Sequence, residues 1–357
     1  MVYRNFVPHL DLSTPHALHI SCKARSGRLL LAASVALLLP IVPAVSGAVV
    51  STGMQETVFN ASSAGTSSKP RVIPSPIYGV TLDDVSKVDQ EVQSIQQLQA
   101  PKMPTVRVVF DYSEPPSAYA KPLQKVGGVA YLMGQIADSS DMRKFTTAAY
   151  RKRTQGYFNA LNGQVDVWEI GNEINGNWLG TGAMNKAKAA YQVIAAAKQP
   201  TALTFFYEGE PEDRDNCIAK SRGGDDMFSW IENNFQLNLP AEQRDPAIES
   251  FRLGLTFALV SWYPQQCNDI QPNWSVVFSK LAYIFPNSKV GFGEIGTANP
   301  QYGSVYEVNL INEFYPLANH VAMPSSYIGG YFWWYFAEEM VPAEGSILFD
   351  TLKRAIQ

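Results

Sequence analysis

The 357-residue sequence predicts an α/β fold, a single (β/α)8 barrel of the TIM type, over residues 71–357. Short apolar segments alternate there with longer amphipathic ones, and eight apolar segments can be counted. Most are apolar at nearly every position, as strands of a parallel sheet buried on both faces are. The length fits such a barrel, typically about 250 residues. An open doubly wound sheet is the alternative, but no Gly-rich phosphate loop follows any segment.

Strands and helices are predicted from these two kinds of segment in turn. The strands are predicted at residues 77–82, 105–111, 127–137, 165–173, 202–210, 254–264, 290–297 and 327–336. The helices are predicted at residues 83–98, 141–161, 185–198, 225–235, 274–285, 307–318 and 347–356. In the first helix Val85, Val88, Val92 and Ile95 share one face. No helix is predicted between strands 2 and 3, because residues 113–126 hold three prolines.

The N-terminal segment has the pattern of a secretory signal peptide. Residues 29–45 are apolar, basic residues including Lys23 and Arg28 precede them, and small residues follow. A membrane anchor is the alternative, but a span needs about 20 residues and this run contains two prolines. We therefore predict a signal peptide at 1–47, a flexible Ser/Thr-rich lead-in at 48–70, and a secreted or periplasmic protein without a membrane span after cleavage.

The composition limits the chemistry available to the chain. Only 17% of its residues are charged and its formal net charge is −4, which argues against nucleic acid as a partner. Three of the four histidines lie in the first twenty residues, so the predicted mature chain keeps only His320 and cannot build a multi-histidine metal site. No CxxC motif occurs. We expect no metal or cofactor, and a chemistry that uses carboxyl groups.

Two glutamates end predicted strands on opposite sides of the barrel. Glu173 ends strand 4 and Glu294 ends strand 7, about three strand–helix units later. The active sites of such barrels lie at the carboxyl ends of the strands, so both side chains should reach one mouth. Two facing carboxyl groups are the equipment for hydrolysing a glycosidic bond.

The two strand-end sequences, WEIGNE at 168–173 and GFGEIG at 291–296, resemble clan A of the glycoside hydrolases, which are retaining enzymes on this barrel. The resemblance covers the whole barrel but assigns no individual family. It implies that Glu173 is the acid/base, that Glu294 is the nucleophile and that Asn172 binds the sugar 2-hydroxyl. It also implies a β-linked oligo- or polysaccharide as the substrate and partner, and we expect a monomer.

Two residues of strand 2 point to the same mouth. The resemblance implies that Arg107 lies beside Glu294, where its charge should lower the pKa of that carboxyl. An ion pair with Glu169 inside the barrel is the other interpretation, and both can hold. Asp111 has the same parity as Arg107 and could face the mouth.

Aromatic and amide side chains complete the predicted substrate site. The resemblance implies that Tyr263 hydrogen-bonds the nucleophile and that a strand-8 tryptophan lies under the sugar. Trp333 and Trp334 must point in opposite directions, and we favour Trp334. Trp178, just past Asn175 in the loop after strand 4, suits a leaving-group subsite or anchors its loop.

Two cysteines follow neighbouring strands. Cys217 comes after strand 5 and Cys267 after strand 6, so their loops should emerge side by side. In an oxidising compartment this predicts a disulfide, with two buried thiols as the alternative.

Two other functions are compatible with this pattern. A non-catalytic saccharide-binding barrel would keep the aromatic residues but need not keep both glutamates. A transglycosylase would use the same residues with a sugar as acceptor. No loop motif identifies the sugar, the linkage, or endo as opposed to exo action.

Overall fold

The computed structural model describes residues 70–209, 226–301 and 303–357, and within them it confirms the predicted barrel. The eight strands close in sequence order, and each pairs in parallel with its neighbours, β8 with β1 included. The strands are β1 Ile77–Leu82, β2 Thr105–Val109, β3 Tyr131–Gln135, β4 Val167–Gly171, β5 Thr201–Phe206, β6 Phe257–Trp262, β7 Lys289–Ile295 and β8 Gly329–Trp333. The predicted signal peptide and nearly all of the lead-in lie outside the described residues.

Helices surround the barrel. They are α1 Val88–Gln97, α2 Ala120–Gly127, α3 Ser139–Met142, α4 Thr147–Leu161, α5 Ala183–Ala196, α6 Met227–Asn234, α7 Pro246–Gly254, α8 Trp274–Ile284, α9 Val305–Phe314, α10 Phe336–Glu339 and α11 Ile347–Ile356. None of these described helices has the length and apolar character needed to cross a bilayer.

Two of the described helices with eight or more residues were not expected from the sequence. Helix α2 forms in the proline-containing stretch between β2 and β3, because Pro122 falls in its first turn, where a missing N–H is tolerated. Helix α7 begins at Pro246, and the Asp245 side chain caps it by accepting from the Ala247 N–H at 2.8 Å.

The strands separate two apolar clusters by simple alternation. Met133, Val167, Ala202 and Leu259 belong to a small cluster, whereas their chain neighbours, such as Leu132, belong to the large cluster packed with the helices. Because successive strand residues point to opposite faces, the small cluster fills the barrel interior.

Toward the carboxyl ends of the strands this inward-facing series becomes polar. The residues that follow with the same parity are charged or polar and fully buried: Arg107, Gln135, Glu169, Thr204 and Ser261. The barrel therefore has an apolar base and a polar upper layer directly beneath its mouth.

Glycines allow β7 and β8 to approach closely. A Cβ on Gly330, whose φ is +103°, would lie 1.9 Å from the Phe292 carbonyl oxygen, and one on Gly291 would lie 2.3 Å from that of Gly329. Only glycine fits such contacts. The approach fixes β8, and with it the two tryptophans at its end.

Candidate active site

The two predicted glutamates both lie at the mouth, and both are nearly buried. Glu173 is 7% exposed and Glu294 is 3% exposed. Glu173 follows the end of β4 with a φ of +48°, in the left-handed region that costs a non-glycine residue energy. Such backbone strain is found most often at functional sites.

Two side chains join the carboxyl groups into one cluster. The Asn172 amide donates to Oε2 of Glu294 at 3.5 Å. Ser261, which stands opposite Glu294 in the β6–β7 register, donates its hydroxyl to Oε1 of Glu173 at 2.8 Å. Asn172, the chain neighbour of Glu173, thus contacts Glu294. Ser261, the sheet neighbour of Glu294, contacts Glu173.

Glu294 is held by a cation and a phenol. The Arg107 guanidinium forms an ion pair with Oε2 of Glu294 and also donates to the Gly293 carbonyl. The Tyr263 hydroxyl donates to Oε1. The structure therefore brings Arg107 and Tyr263 to Glu294, where the resemblance placed them, and adds a contact from Asn172, which was expected to bind the sugar.

Arg107 serves a second carboxyl group as well. Its Nε lies 3.6 Å from Oε2 of Glu169, and both side chains are fully buried. The Thr204 hydroxyl donates to the other oxygen of Glu169. Both interpretations of Arg107 therefore hold, and one guanidinium lies between two buried carboxyl groups.

The pKa of Glu294 differs from the sequence-based expectation. Burial raises it above its ordinary value, while Arg107 and Tyr263 act in the opposite direction. We expected Arg107 to lower this pKa, but the loss of hydration is the larger effect. Glu169 shows the same balance, and burial raises its pKa to about 7.

Among the described residues, the hydrogen-bond partners of Glu173 include no cation. Burial and the charge of Glu294 raise its pKa to about 8. Two neutral hydroxyls oppose this rise, because Ser139 donates to Oε2 at 2.7 Å and Ser261 donates to Oε1. Within the part of the chain that the structure describes, the two carboxyl groups thus differ chemically, since Glu294 contacts a positive charge and Glu173 contacts two neutral hydroxyls.

The two tryptophans at the end of β8 have different surroundings, as predicted. Trp334 is half-buried, and the Arg107 guanidinium carbon lies 5.1 Å from its ring centre. Trp333 is fully buried in the apolar core and donates its indole N–H to Glu339 at 2.8 Å. Trp333 is therefore a core residue, and its assignment to substrate binding is wrong.

Two further predicted substrate residues have structural roles. Both amide atoms of Asn175 bond the main chain of Phe206, so this side chain ties the loop after β4 to β5. Asp111 is exposed and accepts from the main chain and hydroxyl of Ser113, away from the glutamates. The structure brings neither residue to the carboxyl cluster.

Trp178 is connected to Glu173 through the hydroxyl of Ser139. Its half-buried ring packs edge-on against Phe206, with 5.2 Å between ring centres. Its indole N–H donates to the Ser139 hydroxyl at 3.1 Å, and that hydroxyl donates to Glu173.

Ser139 and Ser261 were missed by the sequence analysis. Ser261 lies two residues before Tyr263 and has the same strand parity, so alternation could have found it. Ser139 begins the short helix α3 after β3, and no local pattern relates it to Glu173.

Cys267 is buried in the turn after β6. The other half of the predicted bridge, Cys217, lies outside the described residues, so the disulfide stays a prediction. Across residues 70–209, 226–301 and 303–357, no three His, Cys, Asp or Glu side chains are grouped as metal ligands.

No protein-family model and no curated protein sequence matches the chain. Among solved structures, a glucosidase from Croceicoccus marinus is similar over 82% of this chain and 68% of its own, with 11% identity and a TM-score of 0.47. Saccharomyces cerevisiae Gas2p in complex with laminaritriose and laminaritetraose is similar over 78% of this chain and 63% of its own, with 13% identity and a TM-score of 0.43. Saccharomyces cerevisiae Gas2p in complex with laminaripentaose is similar over 78% of this chain and 64% of its own, with 13% identity and a TM-score of 0.43. The closed eight-stranded parallel barrel is consistent with the resemblance to clan A of the glycoside hydrolases, and no comparison assigns the chain to a family.

Proposed function

We propose that this protein is a secreted retaining β-glycoside hydrolase that cleaves an oligo- or polysaccharide by double displacement. The observation that carries the proposal is the pair of buried carboxyl groups at the ends of β4 and β7, linked through Asn172 and Ser261. Retaining glycosidases need two such groups with opposite protonation states.

The surroundings of each carboxyl group suit one role. Glu294 contacts Arg107 and accepts from Tyr263 and Asn172, all of which favour its ionised form. An ionised carboxylate is the nucleophile that attacks the anomeric carbon. Glu173 has a pKa raised to about 8, so at neutral pH it holds the proton that a departing sugar oxygen needs.

The reaction then proceeds in two steps. Glu173 gives its proton to the glycosidic oxygen while Glu294 attacks, which leaves a glycosyl ester on Glu294. With its proton gone, Glu173 takes a proton from water, and that water releases the sugar from Glu294 with the original configuration.

Other residues of the cluster would bind the sugar. Trp334 offers a half-exposed ring above Arg107, a surface on which the apolar face of a sugar can stack. The Asn172 amide contacts Oε2 of Glu294, on the side of the nucleophile where a sugar 2-hydroxyl adjacent to the reacting carbon would bind.

The test is hydrolysis of β-glucan, galactan, xylan, mannan and bacterial exopolysaccharides, together with aryl β-glycosides, by the purified protein. Glu294→Gln should lose several orders of magnitude in rate on every substrate. Glu173→Gln should lose about 10²–10⁴-fold on polysaccharides but much less on aryl glycosides, whose leaving groups need no proton. Glu114→Gln, the same change at an exposed glutamate after β2, should leave the rates unchanged.

Two outcomes would contradict the proposal. If Glu294→Gln keeps the wild-type activity, Glu294 is not the nucleophile. Tight binding of one polysaccharide without any turnover would make the protein a saccharide-binding barrel.

A further inference from the structure

The acid/base carboxyl group is held by two hydroxyls from different parts of the barrel. Ser139, at the start of α3, donates to Oε2 of Glu173 at 2.7 Å, and Ser261, on β6, donates to Oε1 at 2.8 Å. Ser139 is 5% exposed and Ser261 is fully buried, so water does not easily replace either bond. Each oxygen of Glu173 therefore has its own partner.

The two hydroxyls are not equivalent. Ser139 also accepts the indole N–H of Trp178 at 3.1 Å, and an indole nitrogen can only donate. The indole fills one of the two acceptor positions of Ser139, and Oε2 of Glu173 is the acceptor that the described part of the chain offers to the Ser139 proton, so Ser139 would lose that bond if it accepted from Oε2 instead. No N–H group in the described part of the chain donates to the Ser261 hydroxyl, which can rotate between donating and accepting.

We propose that Ser139, held by Trp178, is a positioning residue that keeps Oε2 of Glu173 as an acceptor and so assigns the transferable proton to Oε1, beside Ser261. This inference rests on the proposed role of Glu173 as the acid/base. It extends that role by naming the oxygen that carries the proton and the residues that select it.

The assignment gives each serine a defined part in both steps. Before the substrate binds, Oε1 carries the proton and Ser261 accepts it; the glycosidic oxygen then takes the place of Ser261. When that proton leaves with the departing sugar oxygen, Ser261 turns and donates to the ionised Oε1. In the second step the attacking water returns a proton to Oε1, while Ser139 donates to Oε2 throughout.

The arrangement has a measurable electrostatic consequence. Ser139 bonds the ionised form of Glu173 more strongly than the protonated form, so it lowers the pKa of that carboxyl against the effect of burial. Losing one hydrogen bond to a charged group should therefore raise the titration of Glu173 by about one pH unit.

The experiment measures this titration directly, without a substrate. Difference infrared spectroscopy of the wild type against Glu173→Gln isolates the carboxyl band of Glu173 as a function of pH. Ser139→Ala and Trp178→Phe should both move its titration upward, the latter by less, because phenylalanine keeps the ring but not the N–H. Ser140→Ala, at the exposed neighbouring serine, is the matched control and should not move it.

A second readout uses the pH dependence of kcat/KM on the best substrate from the panel. In Ser139→Ala and Trp178→Phe, the fall of kcat/KM on the basic side should occur at a higher pH. A purely structural role of Ser139 would instead lower the rate equally at every pH. If Ser139→Ala does not fold, Trp178→Phe alone decides the matter.

The inference is overturned if both variants fold and titrate Glu173 as the wild type does. That result would leave the proposed function untouched as long as Glu173→Gln abolishes polysaccharide hydrolysis. Conversely, a shifted titration together with a fully active Glu173→Gln enzyme would support the hydrogen-bond arrangement and refute the catalytic role.

Discussion

Removing the Arg107 guanidinium should destabilise the barrel as well as stop the reaction. Arg107 is fully buried and is the cation that contacts both Glu169 and Glu294. Arg107→Met keeps a side chain of similar length without the charge. It leaves two carboxyl groups in a space where neither can be hydrated.

The size of this effect follows from the burial. Breaking a buried ion pair by removing one partner costs about 3–5 kcal/mol in the free energy of unfolding. For a domain of this length, 1 kcal/mol corresponds to about 2 °C in Tm. Calorimetry at pH 7 should therefore show a Tm about 6–10 °C below that of the wild type.

A second substitution separates stability from catalysis. Arg107→Met combined with Glu169→Gln removes one of the two uncompensated carboxyl groups, so part of the lost Tm should return while activity should not. Arg151→Met, at an exposed arginine of α4, is the matched control and should change the unfolding free energy by less than about 0.5 kcal/mol. A single Arg107→Met variant with the wild-type Tm would refute the reasoning.

Three further predictions concern other parts of the barrel. Burial raises the pKa of Glu339 from its ordinary value of 4.5 to about 8, so its contribution to stability is complete below pH 4.5 and is lost as the pH rises to about 8. Tm should fall across that interval, and Glu339→Gln should flatten the fall; a pH-independent wild-type Tm would contradict this. Trp334→Ala should raise KM, whereas Trp333→Phe should leave KM unchanged and lower Tm by removing the bond to Glu339; the opposite pattern would exchange their roles. After signal cleavage, thiol titration of the denatured, unreduced chain should find neither Cys217 nor Cys267 reactive, and two reactive groups would exclude the disulfide.

The fold was predictable because its signal is local and repeated. Eight strands were correctly placed from apolar segments, and the position of Arg107 relative to Glu169 followed from strand parity. Helix α2 was missed because a proline in the first turn of a helix resembles a helix breaker in the sequence alone.

The sequence alone locates the site residues whose positions follow from a strand end or from strand parity. These rules located Glu173 and Glu294, whose positions follow from the strands that carry them, and the resemblance to clan A added Tyr263. They could not locate Ser139, which meets Glu173 through loop geometry. Asn175, in the loop after strand 4, was wrongly placed in the substrate site, because the sequence does not show that its amide is bonded to the main chain of Phe206.

The direction of the pKa shift of Glu294 could not be predicted from the sequence either. The sequence shows that a cation is near, which argues for a lower pKa. It does not show how completely the carboxyl group is removed from water, and that burial is the larger effect.

The configuration of the first product tests the central claim most directly. Proton NMR recorded during hydrolysis of a β-linked substrate, before the released sugar can mutarotate, distinguishes the two anomers. Double displacement through Glu294 and Glu173 predicts that the β-anomer appears first. First appearance of the α-anomer would mean a single displacement by water, and would contradict the assignment of Glu294 as a nucleophile.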